Sequence, residues 1–371
     1  MGFRELRRVA YHARRWQFVV GGQLSRYESS NLENPAFGNA HCSVLGLSRE
    51  HRAIGRRNRD KEIIVKSGSR LEEVLESGQF AVTAEAGAPK GNLPDVMRKK
   101  GELLKSSCDA LNVTDNQAAV VRMSSLAGCV LLKETGAEPV LQMVVRDRNR
   151  LALQSDILGA AALGIRNVLC LAGDHQQLGN HPGAAGVYDI DAVQLIQMMK
   201  QLRDEHRVLS GESIKGDVPL YIGAVANPFA DPLELHLLTL AKKIRAGADF
   251  IQTQAIFDLP RFVAWMQKVR ELGLHEKVHI LASVLPIKSI EMARRMFRVV
   301  PGIKFPDGLM ERIEQAADAK EVGISFCVEL IEQLKRVPGV HGVHIMAVAW
   351  EDAVPGIVKE SGLLPRPARP H

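Results

Sequence analysis

The sequence predicts an α/β fold: one (β/α)8 TIM barrel preceded by a basic N-terminal extension. Three observations predict it. From residue 67 onward, short apolar runs alternate eight times with segments of helical periodicity. The runs are continuously apolar, as expected of strands buried on both faces. Polar residues gather just after the C-terminal ends of these runs, where parallel barrels carry their chemistry. Strands joined by helical crossovers are parallel, and the crossover is right-handed. A doubly wound open sheet shares the alternation, but no GxGxxG opens the first helix.

Residues 1–66 stand apart. They carry Arg4, Arg7, Arg8, Arg14, Arg15, Arg26, Arg49, Arg52, Arg56, Arg57 and Arg59, with no sustained period of either kind. Composition predicts a poorly ordered extension, with the barrel over 67–365. The sharper alternatives are a basic tail for an acidic partner or membrane surface, and an Arg-rich organellar transit peptide. The net charge of +6 over 371 residues resides largely there, so it does not mark the whole protein as a nucleic-acid binder. Cys42, Cys108, Cys129, Cys170 and Cys327 are widely spaced, with no CxxC pair and no zinc-ligand spacing. Buried reduced thiols, no metal and a cytoplasmic location are expected. No run of eighteen apolar residues predicts a membrane span.

The elements follow in order. A short amphipathic helix over 69–78 closes on Gly78. FAVTAE (80–85) is the first strand, and a helix over 93–106 follows the loop GAPKGN. ALNVTDN (110–116) is strand then loop, and 124–134 has helical spacing before Gly136. PVLQMVV (139–145) is the third strand, and an amphipathic helix over 149–163 closes on Gly164. The fourth strand covers 167–172 and breaks on Gly173, opening a long Gly/His/Pro loop. Asp191 is placed to cap a helix over 191–205. LYIGAVA, FIQTQ and VHILASV are the fifth, sixth and seventh strands, separated by helices over 233–246 and 260–272. Two or three helical segments occupy 289–336, GVHIMAV (342–348) is the eighth strand, and a last helix lies near 352–361.

The strand ends offer Glu85; Thr114, Asp115 and Asn116; Gln142, Arg146 and Asp147; Asp174 and His175; Asn227; Gln252, Gln254 and Asp258; and Glu351 and Asp352 after Trp350. Glu85 lies among Ala84, Ala86, Gly87 and Ala88, so its carboxyl is expected to be desolvated and its pKa raised, which suits a general acid. A capping or salt-bridged glutamate fits the same position. Asp174 follows Gly173, where backbone can approach a flat ligand; a turn cap is the plainer reading. Lys242 and Lys243 fit a phosphate contact or a solvated helix face.

The segments DRNRLALQSDILGAAALGIRNVLCLAGDH, NPFADPLELHLLTLAKKIRAGADFIQTQAIFD and VPGVHGVHIMA together resemble the methylenetetrahydrofolate reductases, flavin-dependent barrel enzymes of one-carbon metabolism. The resemblance runs from about residue 78 to the last helix. It implies reduction of 5,10-methylenetetrahydrofolate to 5-methyltetrahydrofolate, with FAD rather than FMN as cofactor and NADH or NADPH as donor. It implies that Glu85 protonates the folate and that Asp174 lies by the flavin and contacts the pterin, which Gln254 also binds. Thr114, Gly173, Asn227, Thr239, Lys242 and Lys243 fall on flavin-contacting positions, the two lysines toward its phosphates.

Several residues depart from the familiar bacterial pattern. Gln142 stands in place of a histidine and Ala172 in place of an arginine. Asn227 and His236 replace a histidine and an aspartate. Trp350 replaces a substrate-contacting arginine, and Met296 lies near a phenylalanine that stacks nicotinamide and folate; Met292 and Trp350 are expected on the substrate side with Asp174 and Gln254. These departures bear on the electron donor. Two other readings follow: a folate-binding barrel that transfers a methyl group without flavin, and a subunit taking electrons from a partner protein. The expected partners are a folate substrate, that electron-transfer protein in the second case, and further copies of the chain in a homo-oligomer. Neither nucleic acid nor membrane is expected.

Overall fold

A computed structural model of the protein describes residues 65–299, 305–306 and 308–368. The extension expected over residues 1–66 lies, but for its last two residues, outside the described residues.

Eight parallel strands close into one barrel in sequence order. They are β1 (Ala81–Glu85), β2 (Ala110–Val113), β3 (Pro139–Val144), β4 (Asn167–Leu171), β5 (Tyr221–Ala226), β6 (Phe250–Thr253), β7 (His279–Val284) and β8 (Gly342–Ile345). The helices are α1 (Arg70–Glu76), α2 (Pro94–Leu104), α3 (Ser125–Lys133), α4 (Arg150–Ala162), α5 (Ala192–Asp204), α6 (Leu233–Ala246), α7 (Leu259–Glu271), α8 (Ile290–Val299), α9 (Leu309–Gln315), α10 (Ala319–Leu334) and α11 (Val354–Glu360). The (β/α)8 TIM barrel is thus as the sequence predicts. Strand ends differ. The fourth stops at Leu171 rather than Ala172, and the eighth at Ile345 rather than Val348. In β8 the ladder gives way to a turn: the Met346 N–H still reaches Val284, but that of Val348 bonds the Met346 carbonyl. Asp191 caps α5 as expected, in a reciprocal box with Gln194. Among the described residues, no helix is long and apolar enough to cross a membrane.

The barrel interior is layered. At the bottom, Val140, Leu169, Tyr221, Phe250 and Leu281 pack against Leu71, Val74 and Leu75 of α1, which plugs the floor. The Tyr221 and Phe250 rings stack at 5.5 Å. Phe250 fills this level because its neighbour on β5 is Gly223, where a Cβ would lie 2.2 Å from the ring. One step up, the side chains turn polar. Asn112 and Gln252 exchange amide hydrogen bonds at 2.8 and 3.2 Å, and Gln252 also donates to the Thr83 hydroxyl at 3.2 Å. The Thr83 hydroxyl is 2.9 Å from His344 Nδ1. These four residues are fully or almost fully buried, so each must find its partners inside the barrel.

Two buried aspartates tie the floor together by the same device. Asp109, just before β2, accepts the N–H of Val82 in β1 at 2.8 Å. Asp249, just before β6, accepts the N–H of Ile222 in β5 at 2.8 Å. Each carboxylate is paired twice: Asp109 with Arg70 and Arg366, Asp249 with Arg203 and Lys66. Arg366 thereby pins the C-terminal segment to the first helix-and-strand unit. Glu72 gathers the N–H groups of Lys66, Ser67 and Gly68 in front of α1.

Candidate active site

At the C-terminal end of the barrel lies a cavity of about 480 Å³. Its polar lining includes Glu85, Gln142, Asp174, Gln252, Gln254 and His344. Its apolar lining includes Leu171, Val225, Leu240 and Met346. The strand period of two explains the composition: His344 and Met346 face inward while Val343 and Ile345 join the outer core.

Glu85 ends β1 and is 7 % exposed. Burial raises its carboxyl pKa to about 7; the Glu351 carboxylate pushes the same way, and Lys100 and Arg122 pull against it. A carboxyl so poised holds a proton near neutral pH and can release it. The raised pKa expected from its alanine and glycine neighbours is therefore present.

Asp174 lies exposed on the rim. Its Oδ2 accepts the Ala118 N–H at 3.1 Å, and its own carbonyl accepts from the buried Arg146 guanidinium at 2.9 Å. Arg146 is held in turn by both carboxylate oxygens of Asp147. Gly173 lets the chain pass here. Its φ of +86° favours glycine, and a Cβ would stand 3.1 Å from that of Val144.

Of the other residues singled out in the sequence, Gln142, Ala172, Gly173, Asn227, His236, Thr239, Lys243 and Gln254 line the same cavity as Glu85 and Asp174. Thr114, Lys242, Met292 and Trp350 do not belong to that lining. Thr114 is buried beneath the β1 exit, its hydroxyl accepting the Ala88 N–H at 3.4 Å. Lys242 is exposed on α6. Lys243 turns inward and donates to the Val225 carbonyl at 2.7 Å, and burial lowers its pKa. Met292 and Trp350 pack against the outer core.

Asn112, Thr83 and His344 form a polar shelf under the cavity that the sequence reading did not single out. Gln252 Nε2 donates to the Thr83 hydroxyl, which lies 2.9 Å from His344 Nδ1 and 3.5 Å from the Val343 carbonyl. Burial depresses the His344 pKa to about 3, so the ring is neutral. The signal for it was alternation: His344 shares the inward period of Gly342 and Met346.

The cavity offers both apolar and amide surface. Leu171, Val225, Leu240 and Met346 supply apolar surface, and the carboxamides of Gln142 and Gln254 supply paired donors and acceptors.

Comparison with known proteins agrees with this architecture. The family model described as methylenetetrahydrofolate reductase matches residues 70–362. Methylenetetrahydrofolate reductase 2 of Schizosaccharomyces pombe is 29% identical over 215 residues, 55% of this chain and 33% of that protein. A probable methylenetetrahydrofolate reductase (NADPH) of Caenorhabditis elegans is 22% identical over 307 residues, 79% of this chain and 44% of that protein. The chain thus spans between a third and a half of the length of these relatives. Among solved structures, an uncharacterized protein from Clostridium thermocellum that binds two copies of 5-methyl-5,6,7,8-tetrahydrofolic acid shares the fold. Its TM-score is 0.53 at 14% identity, covering 79% of this chain and 98% of that one.

Proposed function

Because the chain belongs to the methylenetetrahydrofolate reductase family, we propose that it reduces 5,10-methylenetetrahydrofolate to 5-methyltetrahydrofolate as a flavoprotein, with Glu85 as proton donor. The observation that carries this reading is a buried carboxyl with a pKa of about 7 in the wall of the barrel-mouth cavity. The bridging carbon of the substrate is an aminal, a poor hydride acceptor. Glu85 transfers its proton to a ring nitrogen, the C–N bond opens, and the carbon becomes an electrophilic iminium. Flavin, FAD in this reading, would supply hydride chemistry at that carbon when bound. Gln254 offers a donor and an acceptor to the pterin edge. Asp174 presents negative charge at the rim and stabilises the cationic iminium. Of the residues lining the cavity, Gln142, Gly173, Asn227, His236 and Thr239 would hold the flavin. Exposed Lys242 is free to meet the flavin's phosphates, whereas Lys243 must first release the Val225 carbonyl.

The test is spectroscopic. The purified protein should carry flavin absorbance, bleach with NADH or NADPH, and recover colour when methylenetetrahydrofolate is added. A colourless protein, or a bleached one that the folate does not reoxidise, overturns the reading. Comparing the two nicotinamides with an artificial donor identifies the electron source.

A further inference from the structure

Behind Glu85 lies a second, smaller cavity of about 130 Å³, lined by Glu85, Gly87, Lys100, Gln117, Arg122 and Glu351 among others. Glu85 is shared between this cavity and the main one. Lys100 reaches in from α2 and Glu351 from the 3-10 turn Glu351–Ala353 after β8. The two form an ion pair with side chains only 19% and 12% exposed. Lys100 also donates to the Gly87 carbonyl at 2.7 Å, two residues beyond Glu85. Arg122 also lines this cavity. Its Nη1 donates to the Ala88 carbonyl at 3.0 Å, while its buried Nε has no hydrogen-bond partner.

We infer that Lys100 and Glu351 are positioning residues that set the proton affinity of Glu85 through this rear cavity. They do so with opposite signs. A carboxylate beside Glu85 disfavours its ionisation, and a cation favours it; in a site shielded from water both effects are strong. Joined as a pair they largely cancel, which leaves burial as the main influence. The other groups around Glu85 are accounted for. Arg122 is a fixed cation tied to Ala88. Asp115 is neutralised by Arg148. His344 is uncharged, and Asp174 is exposed on the rim. The pair of Lys100 and Glu351 is therefore the adjustable element: removing one end exposes the charge of the other.

This inference rests on Glu85 being the proton donor, and the test separates the two. The Glu85 carboxyl is followed directly in flavin-loaded, folate-free protein, by infrared titration of the protonated C=O band that disappears in Glu85→Gln. The alkaline limb of folate reduction is followed in parallel. Glu351→Gln leaves Lys100 unneutralised and should move both to lower pH by about one unit. Lys100→Met leaves Glu351 unneutralised and should move both to higher pH by about as much. The double variant, with neither charge, should return close to the starting value. A merely structural staple would shift both single variants the same way or not at all, and either result overturns the inference. If the infrared band moves in opposite directions but Glu85→Gln retains folate turnover, the positioning role stands and the proton-donor reading falls.

Discussion

The Asp174 carboxylate accepts the backbone N–H of Ala118 at 3.1 Å, tying the loop after β4 to the loop after β2 across the cavity rim. The β2 side of this contact is strained. Asn116, Ala118 and Ala119 all have positive φ, at 44°, 56° and 55°. Asp174 thus has two calls on one carboxylate, the Ala118 amide and the pterin of the proposed substrate. Asp174→Asn keeps an acceptor for Ala118 but loses the charge. It should raise the flavin reduction potential and slow folate reduction, while leaving the thermal melt nearly unchanged. Redox titration checks the first, stopped-flow reoxidation the second. An unchanged potential would count against Asp174 lying by the flavin.

Glu85→Gln removes the proton and keeps the shape. Flavin content and reduction by the donor should persist, and reoxidation by methylenetetrahydrofolate should fall by about 10²- to 10⁴-fold, the usual worth of a general acid. In the parent protein the same step should slow as pH rises through about 7, where Glu85 ionises. Near-full folate turnover in the variant would remove Glu85 from the mechanism.

Arg366→Ala should destabilise the barrel without touching its chemistry. It strips one of two cations from Asp109, which is fully buried. Leaving a buried carboxylate under-paired costs about 3 kcal/mol at the low end for broken buried pairs, because Arg70 remains. A lowered Tm with unaltered flavin binding is expected. An unchanged melt would mean that solvent reaches Asp109 and takes over from Arg366.

Acid should weaken the fold below about pH 6.5. Burial holds His341 near 4, with His279 and His275 adding repulsion, and His344 near 3. Both stay neutral in the fold while the unfolded chain takes up protons. Their contribution is complete above the unfolded value of about 6.5 and is lost as pH falls toward the folded values. Glu85 works in the opposite sense, its folded value of about 7 lying above the ordinary 4.5. Two histidines against one glutamate leave a net loss on acidification. Tm measured across this range should fall, and His341→Gln should flatten the slope.

Gly223→Ala tests the packing of the floor. The added methyl would sit 2.2 Å from the Phe250 ring, between two strands that cannot separate without opening the barrel. A loss of about 1–3 kcal/mol is expected from overpacking. The double variant with Phe250→Leu should recover part of it, and urea denaturation would read both.

The barrel was legible because its determinants are local. Each apolar run, such as 167–171, and each terminator, such as Gly164 or Gly247, acts within a few residues. Glu85 and Asp174 were legible because both stand at strand exits, and burial among Ala84, Ala86 and Ala88 could be read from neighbours in the chain. The rear cavity was not, because Lys100 and Glu351 are 251 residues apart and meet only when the barrel closes. Nor could the sequence reveal that Lys243 spends its ammonium on the Val225 carbonyl while Lys242, one residue earlier, remains in solvent.

The polar shelf of Thr83, Asn112, Gln252 and His344 divides the barrel into an upper storey open to change and a lower one that is not. Its carboxamides and hydroxyl are committed to one another, between Gln254 and Met346 in the cavity wall and the Tyr221 and Phe250 plug below. A library aimed at a new pterin-like substrate can therefore be confined to that upper storey, with the shelf held constant as its foundation.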